Sequence, residues 1–252
     1  VANGLYDGCP DDEAHELFRL PDFIKTMLEN NWLGSKTKQG FYKKVDKDIL
    51  SLDLDTLEYP PNKKASFATL ELTKTIDKPI DRFKILVKGK DKAGEFYRKN
   101  FSAMFAYVSN RIPEISDELY KIDDAMKAGF GWENGPFQIW DAIGVANAIE
   151  MMKSEGYTPA SWVLTMLSSG SDSFYTVKNG ATYYYDIPSQ SQVKKPGQDS
   201  FIILDNIRET QKIWGNSDAT LHHLGDGILN LEFHSKMNTI GGGVLTGINK
   251  AI

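Results

Sequence analysis

The chain has 252 residues, of which 41% are hydrophobic, 12% aromatic and 25% charged, and its formal net charge is −5. That balance belongs to a soluble globular protein with bulky material for one large or two ordinary domains, while the acidic charge argues against a nucleic-acid partner. No apolar run has the length of a membrane span, and Cys9 as the only cysteine excludes an intrachain disulfide and a thiolate zinc site, which fits a reducing, cytoplasmic setting.

Asp11 and Asp12 offer N-cap carboxylates, and Pro21-Asp22 signals a further helix start. Phe23, Ile24, Met27 and Leu28 then fall on one helical face. Gly34 and Gly40 bracket a turn that ends in an extended Phe41-Tyr42. Residues 45–62 are acidic, are broken by Pro60-Pro61, and read as a linker. Helices are predicted over 63–76, from Pro79 through Val87, over 93–109 and over 114–128. The Lys84, Lys88, Lys90 and Lys92 stretch, interleaved with Asp81 and Asp91, reads as a solvated face rather than an acidic-ligand patch. Gly129, Gly131 and Gly135-Pro136 punctuate a turn before Phe137 to Trp140. Helices follow over 145–154 and 159–167.

Beyond Phe174 the character changes. Runs at 174–177 and 183–185, separated by Asn179-Gly180, predict a hairpin. Residues 189–198 read as a second linker. Residues 201–204, 219–224 and 228–233 read as strands, the last two joined by Gly225-Asp226-Gly227. A helix over 240–251 closes the chain.

An internal repeat crosses these elements. Val1-Ala2-Asn3, Leu20-Pro21 and Thr26-Met27-Leu28 find counterparts in Val145-Ala146-Asn147, Thr158-Pro159 and Thr165-Met166-Leu167. Gly40-Phe41-Tyr42 follows the first set, and Asn179-Gly180 with Tyr183-Tyr184-Tyr185 follows the second. The segment 97–144 has no counterpart at the front, so the chain is expected to start partway through its first unit. An opening Val1 in place of Met fits that expectation.

Searches for chemistry motifs mostly fail. Gly241-Gly242-Gly243 lacks the spacing of a dinucleotide-binding loop, and there is no P-loop, G-x-S-x-G or H-E-x-x-H. His222 and His223 are adjacent in a predicted strand, point to opposite faces, and cannot chelate one ion together. The pairs Asp11-Asp12 and Asp123-Asp124 read as caps or solvated faces, and Phe130, Trp132, Phe137 and Trp140 as core. These residues give a soluble, mainly helical domain without a complete catalytic site.

Two passages go further. Leu33-Gly34-Ser35-Lys36-Thr37-Lys38-Gln39-Gly40-Phe41-Tyr42 resembles the L-G-x-K-T-G-x-G-F-Y pattern of the 3-hydroxyacyl-CoA dehydrogenase C-terminal domain, with Lys38 in place of a glycine. Asp123-x-Ala125-Met126, Gly129-Phe130-Gly131-Trp132-x-x-Gly135-Pro136-Phe137 and Trp140-Asp141-x-x-Gly144 resemble the second copy of that helical domain in multidomain fatty-acid oxidation enzymes. Tyr107-Val108-Ser109-Asn110-Arg111-Ile112 sits where the first copy carries G-F-V-x-N-R. Gly225-Asp226-Gly227 through Leu231-Glu232-Phe233 to Met237-Asn238 is similar to the first hairpin of an enoyl-CoA hydratase (crotonase) domain.

The resemblance implies a mainly α fold, a 3-hydroxyacyl-CoA dehydrogenase C-terminal-domain-like helical bundle with a small β-hairpin unit at the C-terminal end. It implies residues 1–45 as the tail of a first helical repeat, 46–92 as linker and connecting helices, 93–188 as a second repeat, and 189–252 as linker and start of a crotonase-like domain. The implied parent protein oxidises 3-hydroxyacyl-CoA with NAD and carries a hydratase (lyase) activity. Its NAD site, His–Glu pair and Ser lie on a Rossmann domain outside these residues. This piece is then expected to be inactive alone, to bind no NAD or coenzyme A thioester and no metal, and to supply the acyl-CoA-facing platform and homo-oligomer contacts. Asn110 occupies the family's asparagine position in the second copy, where it either touches substrate or serves as a polar brace. A non-catalytic dimerisation module is the alternative, and exposed apolar surface predicts self-association.

Overall fold

A computed structural model describes residues 1–252, and the chain divides into two units, Val1–Phe67 and Ala68–Ile252. Both are built of short helices and small antiparallel sheets, and the chain as a whole is mainly helical, with 11 α-helices.

The first unit contains α1 (Ala2–Gly8), a 3-10 turn at His15–Phe18, α2 (Asp22–Glu29), and the hairpin β1 (Tyr42–Val45) and β2 (Asp48–Ser51). The Asp12 carboxylate accepts from the Ala14 N–H at 2.7 Å, a local turn ahead of the 3-10 helix, and caps no α-helix. As expected, α2 starts after Pro21 and buries Met27. It ends where Asn31 takes a left-handed φ of 56° and the Trp32 N–H returns to Met27 O at 2.8 Å. The stretch read as an acidic linker contains β2. Asp46 tolerates a φ of 54°, which closes a two-residue turn and pairs Val45 with Asp48. An aspartate did there what the sequence reading sought from Asn-Gly.

The second unit opens with α3 (Ala68–Thr73), α4 (Pro79–Leu86), α5 (Lys92–Asn110), α6 (Leu119–Phe130), α7 (Pro136–Ile143), α8 (Val145–Ser154) and α9 (Ser161–Ser168). Asp91 is the N-cap of α5, accepting from the Gly94 N–H at 3.1 Å and from the Thr69 N–H at 2.9 Å. On α8, Val145, Ala148, Ile149 and Met152 recur at helical spacing and are all buried. They join a core centred on Phe105, Phe137, Trp140 and Phe174, each fully buried. Phe105 stacks on Trp140 at 4.7 Å, and Phe174 meets Phe137 and Trp140 edge-on at 5.0 Å. Phe130 and Trp132, expected in that core, are exposed. They lie at and beyond the end of α6, where Gly131 turns the chain away at φ 67°.

A sheet of β3 (Tyr175–Lys178), β4 (Ala181–Asp186) and β5 (Ser191–Lys194) follows. Its first two strands match the predicted hairpin. The third falls in the predicted second linker, because a polar edge strand carries little periodicity. The Gln198 side chain secures that region, accepting from the Thr182 N–H and donating to Thr182 O, both at 2.8 Å. Residues 201–204 do not form a strand; α10 (Leu204–Ile207) begins there. The last sheet is β6 (Lys212–Gly215), β7 (Ala219–Gly225) and β8 (Ile228–Phe233), with α11 (Gly242–Ala251) after it. The strand β6 was not foreseen, and β structure is spread over three places along the chain.

Candidate functional site

Two carboxylates organise the centre of the second unit. Asp123, on α6, is buried. It accepts from the N–H groups of Phe137 (2.9 Å) and Gln138 (3.0 Å) and from the Tyr175 hydroxyl (2.9 Å). Those amides are orphan donors of the first turn of α7, so Asp123 caps a helix other than its own. The surface reading of this residue is therefore corrected: it is a cap, and it is not solvated. A Cβ on Gly135 would lie 2.3 Å from the Asp123 carboxyl carbon, so only glycine lets α6 approach this closely.

Asp141, near the end of α7, accepts from the N–H groups of Phe174 (2.7 Å) and Tyr175 (2.8 Å). Burial pushes Asp123 up to about 6 and Asp141 up to about 7, even though the backbone donors oppose it. Burial and the nearby Asp123 charge push the Tyr175 phenol far up, so it stays a donor. The acceptor sites of both carboxylates are taken by backbone amides and this phenol. The trio acts as a brace tying α6, α7 and β3, without an acceptor offered to a substrate. Neither Asp141 nor Tyr175 was picked out as a site residue; a lone aspartate in the apolar run Phe137–Val145 was the available signal.

Asn110 is exposed at the last turn of α5, and its side-chain amide donates to Ala106 O at 3.0 Å. The adjacent Ser109 is buried and does the cross-linking. Its hydroxyl accepts from the Ala160 N–H, and its carbonyl accepts from the Trp162 indole N–H, both at 3.0 Å. Arg111 lies over the Tyr107 ring at 5.3 Å and pairs with Glu114 at 2.8 Å.

In the first unit, the Leu33–Tyr42 passage forms a compact turn. The Thr37 hydroxyl accepts from the Leu33 N–H at 2.9 Å, and Gly40 packs so closely that a Cβ would lie 2.7 Å from Gly34 Cα. Lys38 itself takes the left-handed φ of 62°, so the turn survives without the pattern's glycine. Beside it is an open cleft of about 740 Å³ whose lining includes Ser35, Lys38, Phe41, Tyr42, Lys44 and Ile49.

In the last sheet, His222 is buried and His223 exposed, on opposite faces as expected. The Arg208 Nε donates to both carboxylate oxygens of Glu232, at 3.0 and 3.1 Å, and holds that carboxyl below its usual range. No group of three His, Cys, Asp or Glu residues could hold a metal ion. Gly241-Gly242-Gly243 opens α11, but a Cβ on Gly243 would lie 2.2 Å from the Asp218 carboxylate. A carboxylate in that space repels a pyrophosphate, and the strand before it is antiparallel. The residues present do not fit a dinucleotide.

Over its full length the chain is similar to a Bacillus subtilis (strain 168) protein named "Probable 3-hydroxyacyl-CoA dehydrogenase", with 40% identity over 253 residues. The chain spans 32% of that relative's length. It is also similar to two proteins named "Putative fatty acid oxidation complex trifunctional enzyme", from Rickettsia prowazekii (strain Madrid E) and Rickettsia felis (strain ATCC VR-1525 / URRWXCal2). Each is 23% identical over 146 residues, covering 55% of this chain and 18% of the relative. No family model matches the chain, and no solved structure matches it. The resemblance carried by Leu33–Tyr42 and Asp123–Gly144 thus extends over the whole chain.

Proposed function

We propose that this chain is part of a 3-hydroxyacyl-CoA dehydrogenase of fatty acid β-oxidation, which oxidises 3-hydroxyacyl-CoA to 3-oxoacyl-CoA with NAD. The observation that carries this reading is the 40% identity that runs through the whole chain to a protein of that name. Its role is to supply the helical, substrate-side platform. In support, the acid pair Asp123 and Asp141 is committed to holding α6, α7 and β3 in place. Dinucleotide binding and proton transfer then belong to other parts of the polypeptide, because the Gly241–Gly243 loop is filled by Asp218.

Residues 93–188 are, in this reading, a second copy of the dehydrogenase C-terminal helical domain, and residues 1–45 the tail of the first. The hairpin β7–β8 followed by α11 has the order of elements expected at the start of a crotonase-like hydratase domain, which supports residues 189–252 as that start. The setting is cytoplasmic, in keeping with a chain in which no helix is long and apolar enough to cross a membrane. Acyl-CoA is the substrate of the whole protein, which assembles as a homo-oligomer. Asn110 braces the end of α5 and takes no part in the chemistry.

The test is NADH formation from 3-hydroxybutyryl-CoA by the complete gene product. Turnover is expected, and a complete product that binds NAD but gives no NADH from any 3-hydroxyacyl-CoA would overturn the assignment.

A further inference from the structure

The second unit holds two separate groups of buried apolar side chains. Tyr184 and Tyr185 of β4 lie in the same core as Phe105 and Trp140, so the sheet β3–β5 is fixed to the helices. Ala219 and Leu221 of β7 and Val244 of α11 are buried outside that core. They pack on each other's elements: a Cβ on Gly247 of α11 would lie 3.2 Å from the Ala219 Cβ and 3.0 Å from the Leu231 side chain. No strand of β3–β5 pairs with a strand of β6–β8. Two such cores on an ordinary linker turn freely against each other.

The connecting segment, however, is bonded to both sides, and three successive residues at α10 carry the grip. Asn206 Nδ2 donates to Gly180 O at 3.1 Å and to the Thr182 hydroxyl at 2.9 Å, on the β3–β4 turn. Ile207 is buried and packs on the same turn, where a Cβ on Gly180 would lie 3.3 Å from its Cγ2. Arg208 reaches the other way, to the Glu232 carboxylate on β8, and Asp205 pairs with the same guanidinium. That pairing keeps Glu232 ionised, since its carboxyl sits below the usual range. The ends of the segment are held as well. Gln198 clasps Thr182 upstream, and downstream Gln211 O accepts from the His223 N–H of β7 at 2.9 Å.

We infer that α10 is a rigid joint, with Asn206 and Arg208 as its positioning residues, that fixes the last sheet and α11 onto the helical repeat. The two cores turn as one body. In the reading proposed above, residues 189–252 begin a hydratase-type domain, and the joint sets that domain's orientation to the dehydrogenase platform. This extension rests on that reading, whereas the joint rests on the bonds of α10 alone.

Spin labels at Leu164→Cys on α9 and Leu245→Cys on α11, both exposed, test it in a Cys9→Ser background of the 252-residue chain. Electron–electron resonance should give one narrow distance distribution. Asn206→Ala with Arg208→Ala should broaden it by about twofold or more, with the circular dichroism of the helices and sheets unchanged. Arg208→Lys keeps a cation opposite Glu232 but loses the fork, and should broaden it less. Glu209→Ala, at an exposed neighbour, should leave it narrow. A broad or two-peaked distribution in the labelled parent chain would overturn the joint without recourse to any variant. So would a double variant as narrow as its parent. Because the distances are read without any activity, a failed NADH assay on the complete gene product would bear on the dehydrogenase assignment and not on the joint.

Discussion

Asp141 and Phe174 are joined across 33 residues of sequence by a 2.7 Å hydrogen bond from the Phe174 N–H to the Asp141 carboxylate. That bond fixes where the chain leaves the helical layer and enters the sheet, and it seats the Phe174 ring against Phe137 and Trp140. The second oxygen holds the Tyr175 N–H, so one side chain satisfies two successive amides.

Asp141→Ala leaves both amides without an acceptor, and each lost partner costs about 1–3 kcal/mol. The variant should lose about 2–5 kcal/mol by denaturant unfolding of the chain. Asp141→Asn keeps one acceptor oxygen and should lose less. Equal losses for the two variants would mean that packing, and not hydrogen bonding, carries the residue's contribution.

The pH dependence follows from the raised carboxyls. Unfolded, Asp123 and Asp141 ionise near the usual carboxylate value of about 4; folded, they do so at about 6 and about 7. Between these limits the folded chain holds more protons than the unfolded one, so these two groups make stability fall as pH rises from about 4 to 7. The thermal midpoint should be higher at pH 5 than at pH 8, and Asp123→Asn should narrow that gap. A midpoint that climbs steadily through this window would contradict the assignment.

Gly135→Ala forces a Cβ to within 2.5 Å of the Asp123 backbone as well as its side chain. Moving α6 away breaks the cap on α7, and the expected cost is about 2–4 kcal/mol with loss of near-UV aromatic signal. Gly129→Ala, where nothing lies within 4 Å, is the control and should fold normally.

Asn110→Ala removes one intrahelical bond from a side chain at the surface and should change stability by less than about 0.5 kcal/mol. In the complete gene product its kcat/KM on 3-hydroxybutyryl-CoA should equal that of the parent. Ser109→Ala, one residue away, strips the acceptor from the half-buried Ala160 amide and should cost about 1–3 kcal/mol. A large kinetic loss in Asn110→Ala with unchanged stability would give that side chain a substrate contact.

Much of the helical layer was legible because its signals are local. Pro21, Pro79 and Val145 with its helical repeat each announce a boundary within a few residues, whereas Asp91, read as part of a solvated face, is the N-cap of α5. The hairpin at Asn179-Gly180 was legible for the same reason. The hairpin at Asp46-Lys47 was not, since an aspartate at positive φ leaves the same trace as a solvated acidic loop. Strands β5 and β6 are short edge strands whose polar faces carry no period. The sequence could not choose between cap and solvated face for Asp123 because its partners, Phe137, Gln138 and Tyr175, are brought to it by the fold. A buried cap for a different helix leaves nothing in the sequence beside it. The two motif passages did better than any physical signal, because they read the chain against a whole family's pattern.

The most direct test pairs intact mass with an NADH-forming assay on 3-hydroxybutyryl-CoA in one sample of the 252-residue chain. A 28.3 kDa species that gives no turnover, beside a complete gene product that does, is the expected result. Turnover by the 28.3 kDa species would show that this chain holds the active site and is more than its platform.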